Sequence, residues 1–293
     1  MIIDCFPFFN ELDLLEIRLK LLDNIVDRVI LVESTRTFSL RKKKLYYFEN
    51  KDRFKKYNKK IIHIIVDETP ALLDRIFLCK PRSIFWRIKH KKPLVLNAHH
   101  IDFYQKNKIV NGLTNCQDDD ILILSDLDEI PNPEIFENIS HLKSRRNALE
   151  IENFCYFLNG KLFDKNNNEP INELGPVIVE FKNFRSFHAE RKEARNVYKK
   201  NNFNALNIIK RSGWHFGYLG GLKSIKQKLR SAAHTELNKK EINNKDNLIN
   251  HINSGNFITE HDWKAKYKPL EQLFPTYICK IFYDYPHLIK KVT

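Results

Sequence analysis

Apolar runs and apolar stripes alternate through the first half of the chain. Ile2 to Phe6 is a short, nearly all-apolar run that reads as a buried strand. After Asn10 the spacing changes: Leu12, Leu15, Leu19 and Leu22 recur at i, i+3, i+7 and i+10. That is one face of a helix over 11–22, with Asn10 placed to cap it. Three further apolar runs follow: Arg28 to Glu33 (RVILVE), Ile61 to Val66 (IIHIIV) and Ile121 to Leu124 (ILIL). Each is rich in β-branched residues and nearly continuous, as expected of parallel strands buried on both faces. A helix is expected over 98–113, and Pro131 and Pro133 open another through about Leu142. Strands alternating with helices predict an α/β fold built on a parallel sheet.

The second half is less regular. Leu149 to Leu158 and Pro176 to Phe181 read as strands, Leu222 to Ala233 and Glu241 to Asn253 as helices, and Asp164 to Glu169 (DKNNNE) as a polar loop. No internal repeat or linker-like stretch divides the 293 residues, of which 42% are hydrophobic. This predicts one globular domain with a mixed C-terminal half.

Charge adds a class of partner to the picture. Lysine and arginine number 50 against 36 acids, a net +14, clustered at Arg41–Lys44, Lys55–Lys60, Arg87–Lys92 and Arg191–Lys200. Such a surface attracts nucleic acid, anionic lipid or phosphorylated ligands. The plainer alternative is a set of solvated faces, since the clusters are scattered. The five cysteines (Cys5, Cys79, Cys116, Cys155, Cys279) are widely spaced with no C-x-x-C, which argues for a reducing compartment and against a disulfide framework. There is no signal-peptide pattern and no apolar stretch of about 18 residues, so a cytoplasmic protein, at most peripheral to a membrane, is expected.

The strongest chemical signal is Ser125-Asp126-Leu127-Asp128-Glu129-Ile130-Pro131. An apolar strand ends there in two acids spaced by two, which in extended chain point to the same side, with Glu129 pointing to the other. Open α/β sheets bind ligands at that carboxyl edge. Two convergent carboxylates suit a hard divalent cation, Mg²⁺ or Mn²⁺, able to bridge a diphosphate. The alternative is an acidic turn serving the dipole of the next helix. A second signal is Gly213-Trp214-His215-Phe216-Gly217-Tyr218-Leu219-Gly220-Gly221, with four of the chain's eight glycines. Trp214 is placed to pack on a sugar face, and His215 to ligate a metal or bond a phosphate. A tight turn around a buried aromatic plug would leave the same pattern. Glu33, Ser34 and Arg36 follow the second strand, and Asn10 and Glu11 the first, so both groups could face the same crevice; ordinary capping and turn chemistry would also explain them.

These residues stand in one register with a known family. FFNELDLLEIRL (Phe8–Leu19), VDRVILVESTRTFS (Val26–Ser39), KIIHIIVDETP (Lys60–Pro70), DDDILILSDLDEIP (Asp118–Pro131), GWHFGYLGG (Gly213–Gly221) and SAAHTELN (Ser231–Asn238) are together similar to glycosyltransferase family 17. That group comprises the β-1,4-mannosyl-glycoprotein β-1,4-N-acetylglucosaminyltransferases and their microbial relatives. Two departures are visible. The family's Gln-Arg-Asn triplet reads Gln105-Lys106-Asn107, which loses the two-pronged guanidinium, and Gly217 stands where serine is common.

The resemblance implies a GT-A-type fold, with 1–131 as a nucleotide-sugar half and 132–293 as an acceptor-side half. It implies a UDP-sugar donor, UDP-N-acetylglucosamine by analogy, inversion at the anomeric carbon, and a glycan or glycolipid acceptor. Asp126 and Asp128 match its D-x-D acids, Asn107 its triplet, and Trp214 and His215 its Gly-Trp-His segment. The general base is open between Glu129, Glu152 and Glu173. A basic nucleic-acid-binding protein is the competing class, although no nucleic-acid-binding motif is present; a metal-dependent phosphohydrolase would need further metal-ligating residues in motif spacing.

Overall fold

The computed structural model describes residues 1–71, 89–90, 97–143, 145–200, 206–231, 242–259 and 261–292, the side chains of 198–200 and 231 excepted. Strand β1 (Ile2–Phe8) is buried almost throughout and lies at the centre of a parallel group. It pairs on one side with β2 (Arg28–Ser34), which carries β3 (Ile61–Val66) beyond it, and on the other with β4 (Ile121–Leu124). The order β3-β2-β1-β4 therefore reverses direction between β1 and β4. Strand connections diverge there, and a crevice opens at the carboxyl ends.

Alternation along β1 decides which layer each residue meets. Ile3 and Cys5 face a cluster with Ile30, Val32, Leu122, Leu124, Tyr104 and Phe187. Ile2, Phe6 and Phe8 face the opposite cluster with Leu15, Leu19 and Leu22 of helix α1 (Leu12–Leu22). Asp4 falls on the α1 side, where a carboxylate needs a buried partner. Arg18 of α1, fully buried, supplies it at 2.6 and 2.8 Å. The leucine stripe thus understates α1: Leu14, Ile17, Arg18 and Leu21 are buried as well.

The same sheet continues into the second half of the chain, chiefly through antiparallel ladders. In chain order these strands are β5 (Glu129–Pro131), β6 (Asn147–Cys155), β7 (Gly160–Asp164), β8 (Asn172–Glu180), β9 (Asn207–Ile209), β10 (Gly213–Gly217) and β11 (Trp263–Tyr267). Strand β8 pairs with β4, β6 with β8 and β7, and β7 with β11. Strand β10 lies parallel to β6 and antiparallel to β5. Helices α2 (Ala98–Asn107) and α3 (Phe187–Lys200) pack against each other and border the parallel strands, whereas α6 (Thr276–Phe282) packs against α1. Helices α4 (Gly221–Ser231) and α5 (Lys245–Ser254) cover the β10–β6–β7 end.

Several expected elements change on folding. Asn10 does not cap α1: Glu11 occupies the cap position and makes no side-chain cap, and its carboxylate accepts instead from the Asn10 N–H. The helix expected over 98–113 ends at Asn107 and tightens into a 3-10 turn, Lys108–Gly112. No α-helix follows Pro131. That proline closes β5, and Asn132 and Asn138 each accept a backbone N–H two residues on, starting the short 3-10 turns Pro133–Phe136 and Ile139–Leu142. Such local side-chain bonds compete with helix continuation. The run Arg191–Lys200, read only as charge, lies within helix α3. The expected Ala233 and Glu241 helix ends, Cys79, most of the Arg87–Lys92 run and all but Ser231 of the SAAHTELN motif lie outside the described residues. The four described cysteines are free thiols, and no described helix is long and apolar enough to cross a membrane.

Candidate active site

The carboxyl ends of β1, β2 and β4 converge on a cavity of about 450 Å³. Phe9 and Glu11 reach it from β1, Ser34 and Arg36 from β2, and Asp126 to Glu129 from β4. Lys106 and Asp102 of α2, Arg195 of α3, Glu173 of β8, His215 of β10 and Lys228 of α4 close the remaining walls. Residues scattered over more than two hundred positions meet here, around the carboxyl edge at which β1 and β4 part.

The two acids of the D-x-D are not successive same-side positions of a strand. Strand β4 stops at Leu124, and residues 126–129 form a turn in which the Glu129 N–H bonds to the Asp126 carbonyl at 3.1 Å. The turn sends the acids to different partners. Asp126 meets Lys106 at 2.7 Å, Arg191 at 3.2 Å and Arg195 at 3.5 Å. Burial alone would raise its pKa, but these three cations outweigh it and hold the carboxyl well below the usual range. Asp128 is likewise pushed up by burial and pulled down further by Lys228 and His215. Beneath the turn, Arg18 donates to the carbonyls of Asp126, Leu127 and Glu129 at 3.2, 3.2 and 2.8 Å and to Ser125 Oγ at 2.6 Å. With its remaining N–H groups on Asp4, all five guanidinium hydrogens are used.

Glu129 does not project away from this group. It is 3% exposed, paired through both oxygens with Arg191 at 2.5 Å, and accepts the Asp126 N–H at 2.9 Å. It fixes the turn and Arg191 rather than standing free as a base. Glu152 pairs with Lys161 at 2.5 Å and does not line the cavity. Glu173, half open, does.

His215 sits opposite Glu129 and Asn153 in the β10 ladders. Its Nδ1 lies 2.6 Å from Glu173 and 2.9 Å from Asn153 Oδ1, and its Nε2 lies 3.5 Å from Asp128 Oδ2. Burial opposes its charge, but Asp128 and Glu173 overcome that and hold its pKa well above the ordinary histidine value. Among the described residues no three His, Cys, Asp or Glu side chains cluster closely enough to enclose a metal ion. Asp128 and His215 nevertheless fit a two-point anchor. One hard oxygen and one imidazole nitrogen face the cavity side by side, and a carboxylate on the far ring nitrogen orients the imidazole as it does for metal-bound histidines.

The other sequence candidates divide. Arg36 lines the cavity, and its buried Nε has no hydrogen-bond partner. Ser34 Oγ donates to the Val66 carbonyl and accepts the Arg36 N–H, so it shapes the β2 turn. Glu33 lies under the cavity floor, fully buried, bonded to the Tyr47 N–H and His63 at 3.0 Å and close to Lys43, which does reach the cavity. Asn107 accepts the His188 N–H and ties α2 to α3, away from the cavity. Asn10 is not part of the wall. Trp214 alternates with His215 and so faces the core, 5% exposed and edge-on to Phe274 at 5.7 Å; it is unavailable as a sugar platform. The residues that reading the sequence missed are mainly the cations. Lys106 was visible only through its triplet. Arg191 and Arg195 stand four apart in a helix, a spacing that puts both on one face. Lys228 carries no sequence signal that separates it from the other lysines of α4.

The sequence matches the family model described as Glycosyltransferase family 17 over residues 1–263. Among functionally curated proteins, none matches the chain. Of solved structures, glucosyl-3-phosphoglycerate synthase from Mycobacterium tuberculosis, determined with Mn²⁺, UDP and phosphoglyceric acid, is similar at 12% identity and a TM-score of 0.35, covering 81% of this chain and 78% of that one. So low a score carries no argument by itself. The family match, which takes in both strands that bring the D-x-D and the Gly-Trp-His segment together, does: this chain belongs to glycosyltransferase family 17.

Proposed function

We propose that the chain is a metal-dependent, inverting glycosyltransferase that moves N-acetylglucosamine from a UDP-sugar to a hydroxyl of a glycan or glycolipid. The observation that carries this reading is the pairing of Asp128 with His215 at the carboxyl edge of the sheet, backed by Glu173, beside a cation-rich wall. The donor sugar, the inversion and the acceptor class follow the family resemblance.

Asp128 and His215 are the residues that would hold Mn²⁺ or Mg²⁺. When bound, the ion neutralises charge developing on the departing diphosphate. Asp126, held by three cations, is not free to serve as a second strong ligand; it orders Lys106 and Arg191 and accepts from a donor hydroxyl. Arg36 and Lys43 add donors for phosphate oxygens. Glu173 takes the acceptor proton. Burial raises its pKa, but His215, Arg195 and Arg191 more than offset this, so it is ionised at neutral pH and able to accept a proton. The attacking hydroxyl oxygen forms the new bond to the anomeric carbon as the bond to the β-phosphate oxygen breaks, and UDP leaves.

Calorimetry with UDP, with and without Mn²⁺, tests the site. Metal-dependent binding that disappears in Asp128→Ala is the expected result, and transfer from UDP-N-acetylglucosamine in preference to other UDP-sugars is expected of the wild type. UDP binding that ignores both metal and mutation would overturn the assignment.

A further inference from the structure

The position that a metal ion would take at Asp128 already has a cation in it. Lys228 Nζ lies 2.6 Å from Asp128 Oδ2, the same oxygen that lies 3.5 Å from His215 Nε2, and 3.5 Å from Glu11 Oε1. It therefore bridges the two carboxylates that flank the cavity at the ends of β1 and β4, with its closer contact on Asp128. The helix that carries it is fixed: Ile225 and Leu229 are buried to 0% and 1% exposure. The lysine side chain itself is partly open and lines the cavity. A four-carbon stem on a fixed helix can swing its ammonium by several ångströms while the backbone stays in place. A metal ion bound to Asp128 Oδ2 would compete with the Lys228 ammonium for that oxygen, because two like charges at contact distance repel each other in a half-buried site.

We propose that Lys228 is an exchangeable cation: in the free enzyme it holds Asp128 and Glu11, and when the metal and nucleotide enter it yields Asp128 and moves to a diphosphate oxygen. This rests on the metal-dependent reading above. The site then never exposes an uncompensated Asp128, and metal is captured firmly only when a diphosphate arrives to receive the displaced ammonium. Metal and nucleotide binding are coupled because the two events share one lysine. The metal's apparent affinity without nucleotide is reduced by the small fraction of molecules in which Lys228 is withdrawn.

The test titrates Mn²⁺ into wild type, Lys228→Met and Lys228→Arg, following free Mn²⁺ by electron paramagnetic resonance, with and without UDP. Lys228→Met is expected to bind Mn²⁺ alone on the order of tenfold more tightly than wild type, the inverse of that fraction. At saturating Mn²⁺ it should bind UDP more weakly than wild type. Lys228→Arg keeps the charge and should return Mn²⁺ affinity towards wild type, which separates exchange from a general disturbance of the fold. If wild type binds Mn²⁺ and Lys228→Met binds it no more tightly, the exchange is wrong. Tighter Mn²⁺ binding with unchanged UDP affinity overturns the transfer of Lys228 to the diphosphate. If wild type binds no Mn²⁺ even with UDP, the metal-dependent reading itself falls, and the exchange with it.

Discussion

Replacing Asp4 isolates the buried interaction that supports the turn at residues 126–129. Asp4 and Arg18 are essentially inaccessible and meet through two bonds of 2.6 and 2.8 Å. Asp4→Asn leaves the guanidinium buried without a counter-charge and turns an amide N–H₂ towards its donors. Breaking one side of a buried pair costs roughly 3–5 kcal/mol. A Coulomb value of about 4 kcal/mol, for charges about 4 Å apart at an effective dielectric of 20, is of the same size. Urea unfolding followed by circular dichroism should show that loss for Asp4→Asn and a similar one for Arg18→Met.

The double variant Asp4→Leu/Arg18→Met removes both charges and should recover part of the loss. It should not restore function. The carbonyls of Asp126, Leu127 and Glu129 then lack the donor that gathers them, and a buried group without its partner costs about 1–3 kcal/mol. The turn opens, and Mn²⁺-dependent UDP affinity should stay depressed in the double variant. A loss under about 1 kcal/mol for Asp4→Asn, in the range of an exposed pair, would refute the buried-pair reasoning. A double variant that binds UDP like wild type would refute the clamp.

Glu173→Gln should weaken Mn²⁺ binding by roughly 10–100-fold, through lost orientation of His215. Turnover should remain low at saturating Mn²⁺ as well; full recovery there would assign the base elsewhere. Gly213→Ala should destabilise the β5–β10 pairing, since its Cβ would fall 2.5 Å from the Ile130 carbonyl oxygen, whereas Gly217→Ser, with nearest neighbours at 3.6 and 3.9 Å, should unfold within about 1 kcal/mol of wild type. His188 has its pKa lowered from 6.5 to about 4, first by burial and then by Lys192, Lys106 and Arg195. A group depressed on folding destabilises as it is protonated: stability should fall as pH drops from 6.5 towards 4 and level off below that. His188→Phe should flatten that part of a melting-temperature profile, and an unchanged profile would show that another group carries it.

How much of this was legible beforehand depended on how local the deciding interaction is. The strands β1, β2 and β4 were readable because a buried parallel strand must be apolar at consecutive positions, and that demand is written in four to seven residues, whereas β3, just as apolar, lies at the sheet edge and is only half-buried instead of buried on both faces. The ordered motifs pointed to the family that the match shows, and the D-x-D after ILIL falls at the sheet edge where the cavity lies. The helix expected after Pro131 failed because two asparagine side chains bonded the backbone locally, a competition that apolar spacing does not register. The strands of the second half were harder because several are only three residues long or mix buried with half-buried positions, so no continuous apolar run marks them.

Tertiary structure alone decided the electrostatics of the site. The sequence places two acids two apart, but only the turn clamped by Arg18 sends Asp126 to Lys106, Arg191 and Arg195 while Asp128 goes to His215 and Lys228. Trp214 and His215 are neighbours in sequence, and strand alternation puts one in the core and the other in the cavity. Lys228 is one lysine among many until the sheet brings α4 to within 2.6 Å of an acid a hundred residues earlier. Periodicity reports whether a position is buried, because burial is a one-body property of the residue in its own element. Which charge neutralises which is a two-body property, and it exists only once the chain has closed the distance between them.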